Sequence, residues 1–191
     1  MQFIENSVHG ENIQEKIEQW ETCTLCHLCK TRTQVVLWRG YLPAEILFIG
    51  EAPGKTEDAD GFPFVGPAGN KLDDILSQTR DELFEDCGRR FPSFAITNLI
   101  ACIPKDGKDT RPPTKEEIAA CQPRLEEIVK CCSPQLVVRV GKLATGYKTK
   151  LPTVDMVHPS SILQADRSQQ GVMTRKAVSV LFNGILRHVK K

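Results

Sequence analysis

The sequence predicts an α/β fold, a three-layer α/β/α arrangement around a four-stranded parallel sheet, and three observations predict it. Four short apolar runs stand apart along the chain, helical patterns separate them, and 191 residues suffice to bury a core without disulfide staples. Strands alternating with helices imply a parallel sheet covered on both faces. Residues 1–191 then read as one domain headed by a cysteine-rich segment.

Each element has its own signal. Ile13, Ile17 and Trp20 recur at helical spacing, which predicts a short helix within residues 12 to 22 that stops before the first cysteine. Ile46 to Ile49, closed by Gly50, form the first strand; Phe94 to Ile100, Leu136 to Val140 and Val154 to Val157 form the other three. Helices are expected over Ala68 to Gln78, Thr114 to Cys132, Lys142 to Tyr147 and Arg175 to Val189. Thr114 and Glu117 fit a capping box, and Pro123 is expected to kink or restart the helix that they open. Pro104 to Pro113, rich in Pro, Lys, Asp and Gly, reads as a loop projecting from the end of the second strand.

Composition excludes several classes. Twenty-five basic and 24 acidic residues give a net charge of +1, so a polyanionic partner must be met by local rather than global charge. No stretch approaches the roughly 18 apolar residues of a membrane span, and no basic-then-apolar leader opens the chain. The protein is expected to be a soluble, cytoplasmic monomer. Eight cysteines suit a disulfide framework only in a small secreted domain, so reduced thiols or metal ligands are expected. Cys23, Cys26 and Cys29 cluster near the start. Cys87, Cys131 and Cys132 are expected to be ordinary thiols, buried or partly buried.

The chemistry gathers where parallel strands end, because ligands bind at the carboxyl edge of such sheets. The first strand leads into Gly50-Glu51-Ala52-Pro53-Gly54, then Glu57-Asp58, then Gly61-Phe62-Pro63-Phe64-Val65-Gly66-Pro67-Ala68-Gly69. This density of glycine and proline fixes a tightly turned loop whose backbone can approach a ligand closely. It lacks the closing Gly-Lys-Ser/Thr of a nucleotide-hydrolysing loop. Asn98 lies near the end of the second strand and His158-Pro159-Ser160-Ser161 follow the fourth. A carboxylate, an amide and an imidazole thus share one rim of the sheet.

The run Gly-Glu-Ala-Pro-Gly, Glu-Asp and Pro-Phe-Val-Gly-x-Ala-Gly resembles motif one of the family 4 uracil-DNA glycosylases, and His-Pro-Ser-Ser-Ile-Leu resembles their second motif. The similarity runs from about Cys23 to Leu163. It implies a monofunctional glycosylase that hydrolyses the bond between a flipped-out uracil and its deoxyribose in DNA. It also implies a 4Fe–4S cluster, with Cys23 and Cys26 before Arg32-Thr33 matching the first ligand pair and Cys102 and Cys121 the second. Zinc remains the chemical alternative for four thiolates, and Cys29 forms a second Cys-x2-Cys with Cys26.

The resemblance also suggests roles. Phe64 stacks on the flipped base, while Phe62 is expected to cover the core. Asn98 pairs with the O4 and N3 edge of uracil, where cytosine presents the opposite pattern. Glu57 matches an acidic position near the pyrimidine C5 edge. Glu51 orients or deprotonates water and steadies the sugar cation, and His158 donates to the departing base. Lys105, Lys108 and Arg111 form a basic loop that meets phosphates, with Ser160 and Ser161 nearby. The segment from Gly141 to Met156 is shorter than in the family, which leaves a modified pyrimidine as an alternative substrate. A non-catalytic iron–sulfur DNA-binding module is the other alternative.

Overall fold

The computed structural model describes residues 17–190. In chain order its elements are β1 (Arg39–Gly40), β2 (Ile46–Gly50), α1 (Lys55–Asp60), α2 (Pro67–Cys87), β3 (Phe94–Asn98), β4 (Lys105–Asp106), β5 (Asp109–Thr110), α3 (Lys115–Cys132), β6 (Leu136–Val140), β7 (Thr153–Met156), α4 (Pro159–Gln164) and α5 (Arg167–His188). Single 3-10 turns lie at His27–Lys30 and Ala144–Gly146. Residues 12–16 of the helix expected within residues 12 to 22 lie outside the described residues; Ile17 and Glu18 are helical and residues 19–22 form a turn.

The main sheet has the order β1-β3-β2-β6-β7. Its four apolar strands run parallel, as expected. A fifth strand corrects the expected count: β1 pairs antiparallel with β3 through Arg39 and Gly40. Two residues without an apolar run leave no periodic trace, so this strand was not legible.

The period of two explains why the central strands read as unbroken apolar runs. Ile46 and Phe48 of β2 face Leu72, Ile75, Leu181 and Ile185 on α2 and α5. Leu47 and Ile49 face Leu125 and Ile128 on α3. Strand β2 leads to β3 on one side while β6 leads to β7 on the other, so their carboxyl ends open a crevice.

Several helix limits differ from expectation for physical reasons. The buried stripe Ile75, Thr79, Leu83 carries α2 past Gln78 to Cys87, where Gly88 closes it. Helix α5 starts at Arg167, after Asp166, because its first two turns are largely exposed and need no apolar stripe. Lys142 to Tyr147 make only a 3-10 turn. Helix α3 runs unbroken through Pro123. Both Pro123 and Ala119, whose carbonyl loses its amide partner, are exposed, so that carbonyl faces solvent. The loop at Pro104 to Pro113 contains a minimal hairpin, β4 with β5.

The cysteine-bearing segment docks on this frame by polar and backbone ties. Trp20 Nε1 donates to Glu127 on α3 at 3.0 Å, and the Val36 amide donates to the Ala101 carbonyl at 2.7 Å. Asp58 is buried and gathers three donors: the Thr33 amide and hydroxyl, each at 2.9 Å, and Lys105 Nζ at 2.8 Å. Burial pushes its carboxyl up, but the bonds from Lys105 and Thr33 outweigh that and hold it below the usual carboxylate range. One side chain thus joins the segment after the cysteines, the glycine-rich loop and the hairpin.

Candidate active site and cysteine pocket

Gly50 and Asn98 are register partners at the ends of β2 and β3. A Cβ at Gly50 would collide with Asn98 Oδ1 and with the Phe64 ring, so only glycine lets the two lie against the strand end. Asn98 is 1% exposed, and its Oδ1 is enclosed without a hydrogen-bond partner among the described residues. An unpaired buried acceptor costs about 1–3 kcal/mol, which marks it as a group shaped for a ligand.

Phe64 is the buried aromatic of the loop and Phe62, at 39% exposure, the exposed one; Phe62 therefore does not cover the core. The Phe64 backbone sits at φ +56, a left-handed conformation that costs a bulky residue roughly 1–2 kcal/mol. Its ring lies 5.7 Å from that of His158, tilted by 37°. Glu57 spends its carboxylate inside the loop: it accepts from the amides of Gly54, Val65 and Gly66 at 3.0, 3.1 and 2.9 Å. The structure thus gives Glu57 a loop-fastening position just ahead of Phe64. Lys55 is exposed at the start of α1.

His158 caps α4 and its chemistry is fixed by its neighbours. Nδ1 accepts from the Ser160 amide at 3.2 Å and lies 2.7 Å from the Ser160 hydroxyl. An amide donor on Nδ1 requires that nitrogen to be unprotonated, so the ring proton sits on Nε2. Burial pushes the imidazole pKa down, against a smaller opposing effect of Glu57. Ser160 is therefore occupied in orienting His158, while Ser161 is exposed. Gly141, at φ +91, backs the imidazole so closely that a Cβ would lie 3.0 Å from His158 Cβ.

Glu51 follows Gly50 and is half-buried, with no hydrogen bond or ion pair to its carboxylate among the described residues. Burial pushes its pKa up. The sequence-derived quartet Glu51, Phe64, Asn98 and His158 thus gathers on one rim, with a carboxylate, a ring face, an enclosed amide and an imidazole N–H. Gly50→Ala should displace Asn98 or Phe64 and slow any base release by roughly 10²-fold, with about 1–3 kcal/mol lost to overpacking. Single-turnover kinetics beside thermal denaturation measure both; an unchanged rate would show that this close packing is dispensable.

The basic loop is less free than its composition suggests. Lys105 pairs with Asp58, and Arg111 grips both oxygens of Glu117 at 2.9 and 2.6 Å. Glu117 also makes the expected capping box, taking the Thr114 amide at 2.7 Å. Lys108 is exposed at the hairpin turn.

Cys23, Cys26, Cys102 and Cys121 line one pocket, with Leu28, Val35, Ile100 and Ala120 among its apolar walls. Cys29 lies outside that pocket and lines another. Two donors point at sulfur: Arg32 Nη1 to Cys102 Sγ at 3.3 Å and the Ala101 amide to Cys121 Sγ at 3.4 Å. No group of three or more His, Cys, Asp or Glu among the described residues is arranged to hold a metal ion. Cys132 is buried and Cys131 partly so, as expected, but Cys87 is exposed at the end of α2. Sequence reasoning missed Arg124, which is 1% exposed and also lines the four-cysteine pocket. Its trace was a charged residue inside the stripe Cys121, Arg124, Leu125, Ile128. Among the described residues no helix is long and apolar enough to cross a membrane.

Residues 39–182 match the model of the uracil DNA glycosylase superfamily. Over 138 residues the chain is 39% identical to the type-4 uracil-DNA glycosylase of Sulfurisphaera tokodaii, covering 70% of this chain and 56% of that protein. The type-4 uracil-DNA glycosylase of Saccharolobus solfataricus is 35% identical over 150 residues, 76% of this chain and 63% of that one. That of Thermotoga maritima is 36% identical over 130 residues, 68% and 62%. The matched part thus spans between 56% and 63% of these three relatives. With a family match over most of the chain, and with both motif segments on the rim of the sheet, the chain belongs to the uracil-DNA glycosylase superfamily.

Proposed function

We propose that the protein excises uracil from DNA by hydrolysing its N-glycosidic bond, leaving an abasic site. The observation that carries this is the unpartnered Asn98 amide enclosed beside the Phe64 ring. Uracil offers an N3–H for Oδ1 and an O4 for the amide nitrogen; cytosine presents the reverse. Phe64 stacks on a base taken out of the duplex. His158 donates from Nε2 to the base O2 as the N1–C1′ bond breaks and its electron pair moves to the base. Glu51, unpaired and with its pKa raised by burial, accepts a proton from water as the water oxygen bonds to C1′. Its negative charge steadies the sugar cation.

The four-cysteine pocket supports a 4Fe–4S cluster by donor chemistry: soft thiols from three segments surround one pocket, and N–H donors reach two of the sulfurs. Cys23, Cys26, Cys102 and Cys121 would hold it. When bound it supplies a charged structural tie between the N-terminal segment, the β3 end and α3. DNA phosphates meet Lys108 and Ser161, while Lys105, Arg111 and Ser160 shape that face through Asp58, Glu117 and His158. Glu57 supports base binding by fastening the loop that carries Phe64.

The test is base release from oligonucleotides containing uracil, thymine, hypoxanthine or modified cytosine, with enzyme in excess. Release from uracil DNA is expected, and Asn98→Ala should reduce its rate and its preference over the other bases by about 10²-fold. Release from modified cytosine alone would replace the substrate. DNA binding without release of any base would leave a non-catalytic module.

A further inference from the structure

Arg124 is the largest fully buried side chain of the described residues, and it stands three residues beyond Cys121 on α3. No carboxylate pairs with it among the described residues. Glu117, the acid that shares the pocket wall, is already taken by Arg111, His27 and the Thr114 amide. A guanidinium buried this deeply without a counter-charge is costly. Its Nε is enclosed and unpartnered, and the residue lines the pocket of the four cysteines.

The other end of the fork has defined work. Nη1 donates to Thr97 Oγ1 at 2.8 Å, and Nη2 donates to the carbonyls of Asn98 at 2.7 Å and Leu99 at 2.9 Å. Thr97 in turn donates to the Leu37 carbonyl at 2.6 Å. One cation therefore holds the strand end that carries Asn98, through the Thr97 hydroxyl before it and the carbonyls of Asn98 and Leu99. Lysine has a single point charge and cannot reproduce this planar fork.

We infer that Arg124 is a positioning residue that couples the cysteine pocket to base reading, with the negative charge of a four-thiolate cluster as its counter-charge and the β3 end as its load. It rests on the cluster and glycosylase proposals above. Four thiolates around a 4Fe–4S core leave a net negative charge, and Arg32, bonded to Cys102, supplies a second neighbouring cation. Held between that charge and three oxygen acceptors, Arg124 fixes the strand end on which Asn98 is aimed.

The experiment uses the purified holoprotein, with Arg124→Met, Arg124→Gln and Arg124→Lys. Iron content and absorbance report the cluster, film voltammetry its reduction potential, and single-turnover kinetics the preference for uracil over other bases. Removing a neighbouring positive charge makes electron uptake less favourable, so the Met and Gln variants should shift the potential downward. Their uracil preference should fall by about tenfold, with DNA affinity retained. The Lys variant should restore most of the potential but not the preference, since the charge returns without the fork; this pairing separates positioning from mere structural support. Met or Gln variants with unchanged potential and unchanged preference would overturn the coupling. So would a wild type that contains no iron. Should the Met and Gln variants not fold, the Lys variant decides alone: wild-type preference in it would overturn the coupling. Should the wild type release no base, the glycosylase proposal fails, while the potential still tests the charge pairing.

Discussion

Replacing His158 with alanine is expected to slow single-turnover release of uracil by about 10²–10³-fold, with little change in DNA affinity. The donor acts on charge that develops only as the glycosidic bond breaks, whereas stacking and phosphate contacts hold the ground state. Glu51→Gln should have a loss of similar order, and the pH profile separates the two. Glu51 must be ionised to accept a proton, and burial raises its pKa, so the rate should climb with pH through a limb above the ordinary carboxylate range. In Glu51→Gln that limb should vanish. Burial pushes the His158 pKa below the usual histidine range, and its Nε2 proton is present whether or not Nδ1 is protonated. A profile in Glu51→Gln identical to that of the wild type would assign the limb elsewhere and remove Glu51 as the base.

The second large effect concerns the cysteines. Cys102→Ala or Cys121→Ala should bring iron down to background and cost much of the folding free energy, because metal binding in such a pocket is folding energy. Cys23→Ala and Cys26→Ala should follow, and Cys29→Ala should retain iron because Cys29 faces a different pocket. Iron assays and urea unfolding of the five variants give the result. Iron kept in Cys23→Ala but lost in Cys29→Ala would exchange these two in the ligand set. Zinc in place of iron in the native protein would keep the four thiols and change the cofactor.

Much of this was legible because it is periodic or local. The four parallel strands show themselves as short apolar runs, complete in β2 and carried only by Val154 and Met156 in β7, and the Thr114–Glu117 box is written in four residues. Glu51, Asn98 and His158 stand out because strand ends bring unlike chemistry to one rim, and Phe64 through the resemblance of its loop. Helix α1 left no apolar trace, since Lys55–Asp60 expose all but Glu57 and Asp58. Lys105 is expected to meet phosphates and Asp58 enters only as part of a motif, and nothing in spacing shows that residues 47 positions apart form one partly buried pair. Arg124 was hidden for the same reason: its three acceptors come from β3 and the turn after it, and only the fold brings them to α3. Long-range polar pairing has no period, so sequence patterns pass over it.

The unsatisfied oxygen of Asn98 sets stability against activity. A variant that fills position 98 with an apolar side chain of similar size would remove an enclosed acceptor, and it should melt at a higher temperature than the native protein. Any search for heat-resistant descendants that ignores catalysis would drift toward such changes and away from base discrimination. A ligand that occupies the acceptor acts in the opposite sense: a soluble pyrimidine with an N3–H should raise the melting temperature of the native chain and leave the apolar variant where it was.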